Sequence, residues 1–360
     1  MRSSAWLSLV LACSAAEAQV SPYTGRPVLP PDSSGHYRLL IGGHFHGEST
    51  NASGFPAATI LAGIDAMNRT GANALLSTGD LFMEPDRDSA RYVTSFFTKL
   101  ELALFNAPGN HDLEGDAYNH LPVAPQLLHM GRDRILLLDT ERDDSSILGD
   151  QLQMLAALAT DADAGRLGRV FIVSHRPVWA EEDPRYSPLF EGNTRSLAGT
   201  NYASEVLPIL LRIARNGNVY WISGSMAGKA PASIFFQPQP GGITYIQCAV
   251  RDELRDALLV ADVSPLAVEW SALSLTGMPM QDVTTYDAEW WASHKGVQET
   301  FHWRRIPYLV RKNLGYPAFW YGAATAILLM LLVFILWRRS GGKGKAERNG
   351  SATRPTVLRQ

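Results

Sequence analysis

Four short polar clusters carry the side chains in this sequence best suited to chemistry: His44-Phe45-His46, Gly79-Asp80, Gly109-Asn110-His111-Asp112 and His175-Arg176-Pro177. Imidazole nitrogens, carboxylates and amide oxygens are ligands for divalent transition metals, and a histidine titrating near neutrality can also pass a proton to a reacting oxygen. Taken alone, a His-x-His pair is more often a surface loop than a ligand pair, and Gly-Asp is commonplace in turns. The information lies in the four together, since each follows an apolar run.

Those runs are the elements that must bring the clusters to one place. Tyr37 to Ile41 reads as a buried strand feeding a glycine loop, Pro56 to Asn68 as a helix with Ile60, Ile64 and Met67 on one face, and Ala74 to Ser77 as the next strand. Helices follow at Ser89 to Leu100, Gln151 to Thr160 and Tyr202 to Asn216. Further strands are expected at Leu102 to Asn106, Arg134 to Asp139, Val170 to Ser174, Val219 to Ser223, Thr244 to Ala249, Ala257 to Val263 and Ala267 to Leu275. This order predicts one layered α/β domain over residues 36 to 276, without internal repeat or low-complexity tract, whose strand-end loops form the site. The polar loop Ala180 to Asn201, with Glu181, Glu182 and Asp183 beside Arg185, either lines a substrate mouth or is simply solvated.

In order and spacing the clusters resemble the calcineurin-like metallophosphoesterase superfamily, of the purple acid phosphatase-like kind. Its pattern runs Asp-x-His, Gly-Asp, Gly-Asn-His-Asp/Glu, His and Gly-His-x-His, and Gly109 to Asp112 is the most specific match. The resemblance implies a sandwich of two β-sheets flanked by helices, carrying one or two divalent ions (manganese, iron or zinc) that Asp80 would bridge. By the same resemblance His46 joins the first metal, Asn110 and His175 join the second, and His111 is the catalytic group that protonates the leaving oxygen. The implied substrate is a phosphomonoester or phosphodiester.

Two departures from that pattern bear on function. His44 stands at the family's first Asp, and Gly224-Ser225-Met226-Ala227 stands at its Gly-His-x-His. The second site thus loses a ligand at Ser225, while the first gains His44 and loses one at Ala227. About three side-chain donors remain for each, enough for a catalytic zinc. Exchanging aspartate for histidine also removes a negative charge from a centre meant for two dications, so one metal or none becomes a real alternative. Asp112, Ser225 and Lys229 are accessory candidates, Lys229 as a positive charge where a metal would sit, and Glu48 is a candidate replacement ligand. The alternative to an active phosphoesterase is a pseudophosphoesterase serving as scaffold or binding partner in an envelope assembly.

The two ends of the 360-residue chain place it in the cell. Residues 1 to 18 read as a signal peptide, with Arg2, an apolar run from Ala5 to Ala12 and Ala16-Glu17-Ala18 before the cleavage point. Val10-Leu11-Ala12-Cys13 offers lipidation at Cys13 as the competing process. Residues 318 to 337 are uncharged and long enough, at about 1.5 Å per residue, to cross a hydrocarbon layer of roughly 30 Å. With Tyr316, Trp320, Tyr321 and Trp337 at its borders, the segment reads as one transmembrane helix. The signal then places the main domain in the periplasm or outside the cell, leaving residues 338 to 360 as a basic cytoplasmic tail.

Residues 19 to 35 read as a linker and 277 to 317 as a juxtamembrane connector. In the connector Trp290, His294, Val297 and Phe301 recur at helical spacing near Trp291 and Trp303, for a helix lying on the bilayer or packed on the domain. A net charge of -3 excludes a general nucleic-acid binder, and Cys248 as the one cysteine beyond the signal excludes a disulfide within the mature chain. Asn51-Ala52-Ser53 and Asn68-Arg69-Thr70 match glycosylation acceptors, relevant only in a eukaryotic secretory pathway.

Overall fold

The computed structural model describes residues 19–115, 124–181, 183–226, 233–294 and 317–346, together with Ile306, Val310 and Leu314. The signal peptide with Cys13, the positions Glu182, Ala227 and Lys229, the connector residues Val297, Phe301 and Trp303, and the tail beyond residue 346 lie outside the described residues. The chain divides into two units, residues 1–308 and 309–360.

In the first unit the strands, in chain order, are β1 (Tyr37–Gly42), β2 (Ala74–Ser77), β3 (Leu104–Asn106), β4 (Gln126–Met130), β5 (Asp133–Leu137) and β6 (Val170–Val173). They continue with β7 (Val219–Ser223), β8 (Ser233–Gln239), β9 (Ile243–Ala249), β10 (Ala257–Val263) and β11 (Val268–Ser274). The helices are α1 (Ala58–Arg69), α2 (Pro85–Tyr92), α3 (Gly149–Asp163), α4 (Ser187–Phe190), α5 (Leu207–Ala214) and α6 (Ala288–Ser293). Five strands form one sheet in the order β11-β10-β1-β2-β3, and six form the other in the order β4-β5-β6-β7-β9-β8. This is the two-sheet architecture with flanking helices that the resemblance implies.

Alternation along the strands explains the layers. Side chains on a strand point to opposite faces in turn, so a strand covered on both faces reads as a continuous apolar run. Leu39 and Ile41 of β1 enter the core between the sheets with Ile135, Leu137, Phe171, Val173, Ile222 and Ile246 of the opposite sheet. Leu40 points the other way, onto Ile60, Ile64 and Met67 of α1. Leu136 and Ile172 likewise face outward onto Leu155 and Leu158 of α3.

The structure differs from the sequence expectation at several elements. Strands β4 and β8 were not expected. β4 is a short hairpin partner of β5, and β8 lies at a sheet edge, where Pro238 is tolerated because an edge residue needs no ladder N–H. The helix expected over Ser89 to Leu100 begins earlier, at Pro85, and opens into a π-helical turn at Val93–Phe97. The one expected from Tyr202 starts as a π-helical turn and becomes regular only at Leu207, where Pro208 occupies the first turn because its missing N–H is not needed there.

Residues 19 to 35 lie against the strands rather than hanging free. Ser21 Oγ donates to Leu104 O at 2.6 Å, and Gln19 Nε2 donates to Leu127 O at 2.8 Å. α6 packs on the domain through Trp291 Nε1, which donates to Ile234 O at 3.0 Å. In the second unit α7 (Pro317–Ala346) contains a 20-residue stretch, Phe319–Arg338, apolar and long enough to cross a membrane.

Candidate metal centre

Parallel pairing decides where the clusters meet. β1, β2 and β3 run parallel in one sheet, and β5, β6, β7 and β9 run parallel in the other. Their carboxyl ends carry His44 to His46, Asp80, Asn110 to Asp112, Glu141, His175, Ser225 and Arg251. Loops at that edge are the ordinary place for a site in a parallel sheet.

Close approach is built in by glycine. Gly79 has φ +95°, and a Cβ there would strike the His175 ring. At Gly109 a Cβ would meet the Asp80 carboxylate and come 2.6 Å from its backbone nitrogen. His44 and Asp80 themselves have φ of 54° and 55°, a left-handed conformation that side chains other than glycine adopt at a cost.

Asp80 is the hub. Its Oδ2 lies 3.3 Å from His44 Nε2, 3.5 Å from His175 Nε2 and 3.7 Å from His46 Nε2, while Oδ1 accepts the His111 backbone N–H at 3.0 Å. All four side chains are buried, and His111 stands half-buried beside His46, ring centroids 5.1 Å apart. Two groups of donors share the hub: His44, Asp80 and His175, and His46, Asp80 and His111.

These residues fit a divalent ion. Ligands about 2.0–2.2 Å from a tetrahedral ion stand about 3.3 Å apart, which is close to the observed spacings. His175 Nδ1 is 3.0 Å from Thr78 O, and since a carbonyl only accepts, the proton sits on Nδ1 and Nε2 keeps its lone pair. Both ring nitrogens of His46, His44 Nδ1 and His175 Nε2 are buried without a hydrogen-bond partner. Leaving such groups unpaired is costly, so the arrangement suits a cation that takes the lone pair of His175 Nε2 and the single lone pair a neutral His46 offers.

The electrostatics agree. Burial holds the His44 imidazole well below its ordinary value, against the pull of Asp80 and with the neighbouring imidazoles adding to it, so it is neutral and able to ligate. Burial alone would raise the Asp80 carboxyl, but the imidazoles of His175, His44 and His46 hold it well below the usual carboxylate range. The centre therefore combines an ionised Asp80 carboxylate with a His44 imidazole held neutral. It forms the wall of a cavity of about 520 Å³ lined also by Glu48, Asn110, Ser225 and Arg251.

The other expected residues take different places. Asn110 reaches the cavity, but its Oδ1 accepts from Arg176 Nη2 at 2.7 Å. Ser225 Oγ accepts from Arg176 Nη1 at 3.3 Å. Asp112 faces away from the cavity: its carboxylate accepts from Phe82 N at 3.0 Å, Gly109 N at 3.0 Å and Asn106 Nδ2 at 2.9 Å, stapling two loops together. Glu48 lines the cavity outside both donor groups.

Sequence reasoning placed Arg176 in a polar cluster without giving it a role, and missed its anchor Glu141. Buried Glu141 accepts from Arg176 Nε at 2.5 Å and from Nη2 at 3.2 Å, and Arg195 Nε adds a second cation 3.3 Å from Oε2. Arg176 adjoins His175 in sequence, but nothing in the sequence pairs it with an acid 35 positions away. Arg251, also missed, follows β9 and lines the cavity.

No family model matches this chain, and no curated protein matches it. Among solved structures it is similar to a purple acid phosphatase from yellow lupin (Lupinus luteus) seeds, at 9% identity and TM-score 0.46, with 72% of this chain and 54% of that one covered. The chain thus spans about half the length of the lupin protein. It is also similar to a conserved uncharacterized protein from Streptococcus pneumoniae described as a predicted phosphoesterase, at 11% identity and TM-score 0.32, covering 67% of this chain and 90% of that one.

Proposed function

We propose that this chain is a metal-dependent phosphoesterase of the calcineurin-like superfamily, held at a membrane by α7 with its main domain outside the cytoplasm. The observation that carries the reading is the convergence on Asp80 Oδ2 of His44 Nε2 with the unpartnered, buried Nε2 atoms of His46 and His175, beside an open cavity that His44 and Asp80 line. The motif order and the two-sheet architecture support it. Manganese, iron or zinc would suit the mixed nitrogen and oxygen donors.

When bound, such an ion supplies Lewis acidity toward a phosphoryl oxygen and lowers the pKa of water. The residues do the rest. Asp80 stays ionised under the pull of the imidazoles, and Thr78 fixes the His175 ring through its carbonyl. The Arg251 guanidinium at the cavity wall supplies charge for an incoming phosphate. His111, with Nδ1 3.5 Å from Glu114 Oε1, holds a proton for the leaving oxygen.

A second reading, the impaired scaffold protein, is favoured by one observation: the Arg176 cation engages Asn110 and Ser225. Turnover of an aryl phosphodiester and an aryl phosphomonoester by the full chain in detergent, with manganese or zinc added, separates the two. The enzyme reading expects metal-dependent hydrolysis abolished by Asp80→Asn and lowered about 100-fold or more by His111→Ala. Equal background rates in all three proteins would establish the scaffold reading instead.

A further inference from the structure

Arg176 is buried, yet its guanidinium is fully committed. Nε and Nη2 fork onto Glu141, Nη2 also donates to Asn110 Oδ1 at 2.7 Å, and Nη1 donates to Ser225 Oγ at 3.3 Å and to Asn193 O at 3.4 Å. The backbone N–H of Arg176 donates to Thr140 Oγ1 at 2.8 Å, and Asn193 Nδ2 donates to Ser225 O at 3.0 Å, so both ends of the side chain are held. Arg195 shares Glu141, which makes this a fixed net-positive cluster beside the imidazoles.

We propose that Arg176 stands where a second metal would otherwise bind, so that the centre takes one divalent ion per chain, on Asp80 and its ring of imidazoles. The inference rests on the metal-binding part of the functional reading above and specifies its stoichiometry. The amide oxygen of Asn110 has a charged donor on one of its two lone pairs, and the cation beside it repels an approaching ion. A guanidinium cannot be deprotonated to release it. Asp80 is the one carboxylate in either donor group, so two dications would share a single negative charge with a third cation alongside. The charge that a second ion would bring is instead covalently part of the chain and does not depend on metal supply.

The test is metal content of the full chain in detergent, measured by elemental mass spectrometry after equilibration with manganese or zinc and desalting, alongside titration calorimetry. One ion per chain is expected in the wild type, with Asn110→Ala binding that ion at unchanged affinity and Asp80→Asn losing it. Arg176→Met removes the fork on buried Glu141 and leaves it only the half-exposed Arg195, so the double variant Arg176→Met/Glu141→Gln is the companion, and it is expected to bind more than one ion. Arg176→Lys keeps the charge and stays at one. Two ions in the wild type, or an affinity loss of about tenfold or more in Asn110→Ala, would overturn the inference while leaving a metal enzyme intact. No bound ion would overturn both, and one ion without turnover would overturn only the catalytic reading.

Discussion

Asp256 lies buried against the first turn of α1, where Oδ2 accepts from Thr59 Oγ1 at 2.6 Å and Oδ1 accepts from Arg251 N at 3.0 Å. Burial pushes its carboxyl from 3.8 up to about 7, opposed by those hydrogen bonds and assisted by the nearby Asp252 charge. Between these two values the folded chain keeps a proton that the unfolded chain has lost. Its stabilising contribution is therefore complete below about 3.8 and is lost as pH rises through about 7. At about 1.4 kcal/mol per pH unit, a gap of roughly 3 units amounts to about 4 kcal/mol by pH 8. Asparagine has the shape of the protonated acid and no charge in either state; its Oδ1 can accept from Arg251 N as the carboxyl does, and its Nδ2 can donate to Thr59 Oγ1, a hydroxyl able to turn from donor to acceptor. Asp256→Asn should match the wild type near pH 4 and exceed it at pH 8 by up to about 4 kcal/mol, or roughly 10 °C in Tm for a unit of this size. Urea melts of both full-length proteins in detergent, read by tryptophan fluorescence from pH 4 to 8, measure the difference directly. A difference that does not change with pH, or a variant less stable than wild type at pH 8, refutes the reasoning.

Three further outcomes follow from the site. Asp112→Ala strands three donors that the carboxylate now satisfies, so it should cost about 3–6 kcal/mol in the same urea melts; a loss under about 1 kcal/mol would mean Asp112 is not the staple of these loops. Gly109→Ala drives a methyl into Asp80 and should weaken manganese binding about tenfold or more by calorimetry, with unchanged affinity showing that the loop yields without moving the hub. Arg251→Met should raise KM for an aryl phosphate about tenfold with kcat little altered, whereas an equal fall in kcat would place its role in the transition state.

The fold was legible where periodicity and pairing agree. Parallel strands covered on both faces, such as β1, β6 and β7, leave unbroken apolar runs that sequence alone reveals, and each run pointed to the cluster at its end. β4 and β8 escaped because edge and hairpin strands owe their form to a neighbour: Gln126 to Met130 becomes a strand through its five-residue register with β5, a partner invisible in the local pattern. The π-helical turns before Pro208 and after Tyr92 escaped too, since helical spacing does not distinguish a wider turn. In the site, the residue types at strand ends named His44, His46, Asp80, His111 and His175, and the structure brings these five together. Asp112 was legible as part of the same motif but not in its orientation, which its three buried donors decide. Arg176 and Glu141 were illegible because a charged residue in a loop is ordinarily solvated, and only tertiary burial reveals the pair.

The centre also departs from local rules in one direction. His44 and Asp80 hold left-handed backbone, several imidazole nitrogens lack partners, and Glu141 is buried with two arginines. Each of the strained backbone positions costs about 1–3 kcal/mol, a burden that surrounding structure must over-determine if it is to persist. The over-determination is visible: His44 N donates to Gly79 O at 2.9 Å, Asp80 Oδ1 is held by the His111 N–H, and both loops are stapled through Asp112. Among the described residues this scaffolding leaves His175 Nε2 and both ring nitrogens of His46 without a partner. The protein holds two donor groups on one carboxylate, His44 with His175 and His46 with His111, and a divalent ion beside Asp80 would satisfy nitrogens that the fold leaves open. The Arg176 side of the site is different, because every guanidinium nitrogen already has a protein acceptor. One half of the centre is built to receive a cation, and the other half already contains one.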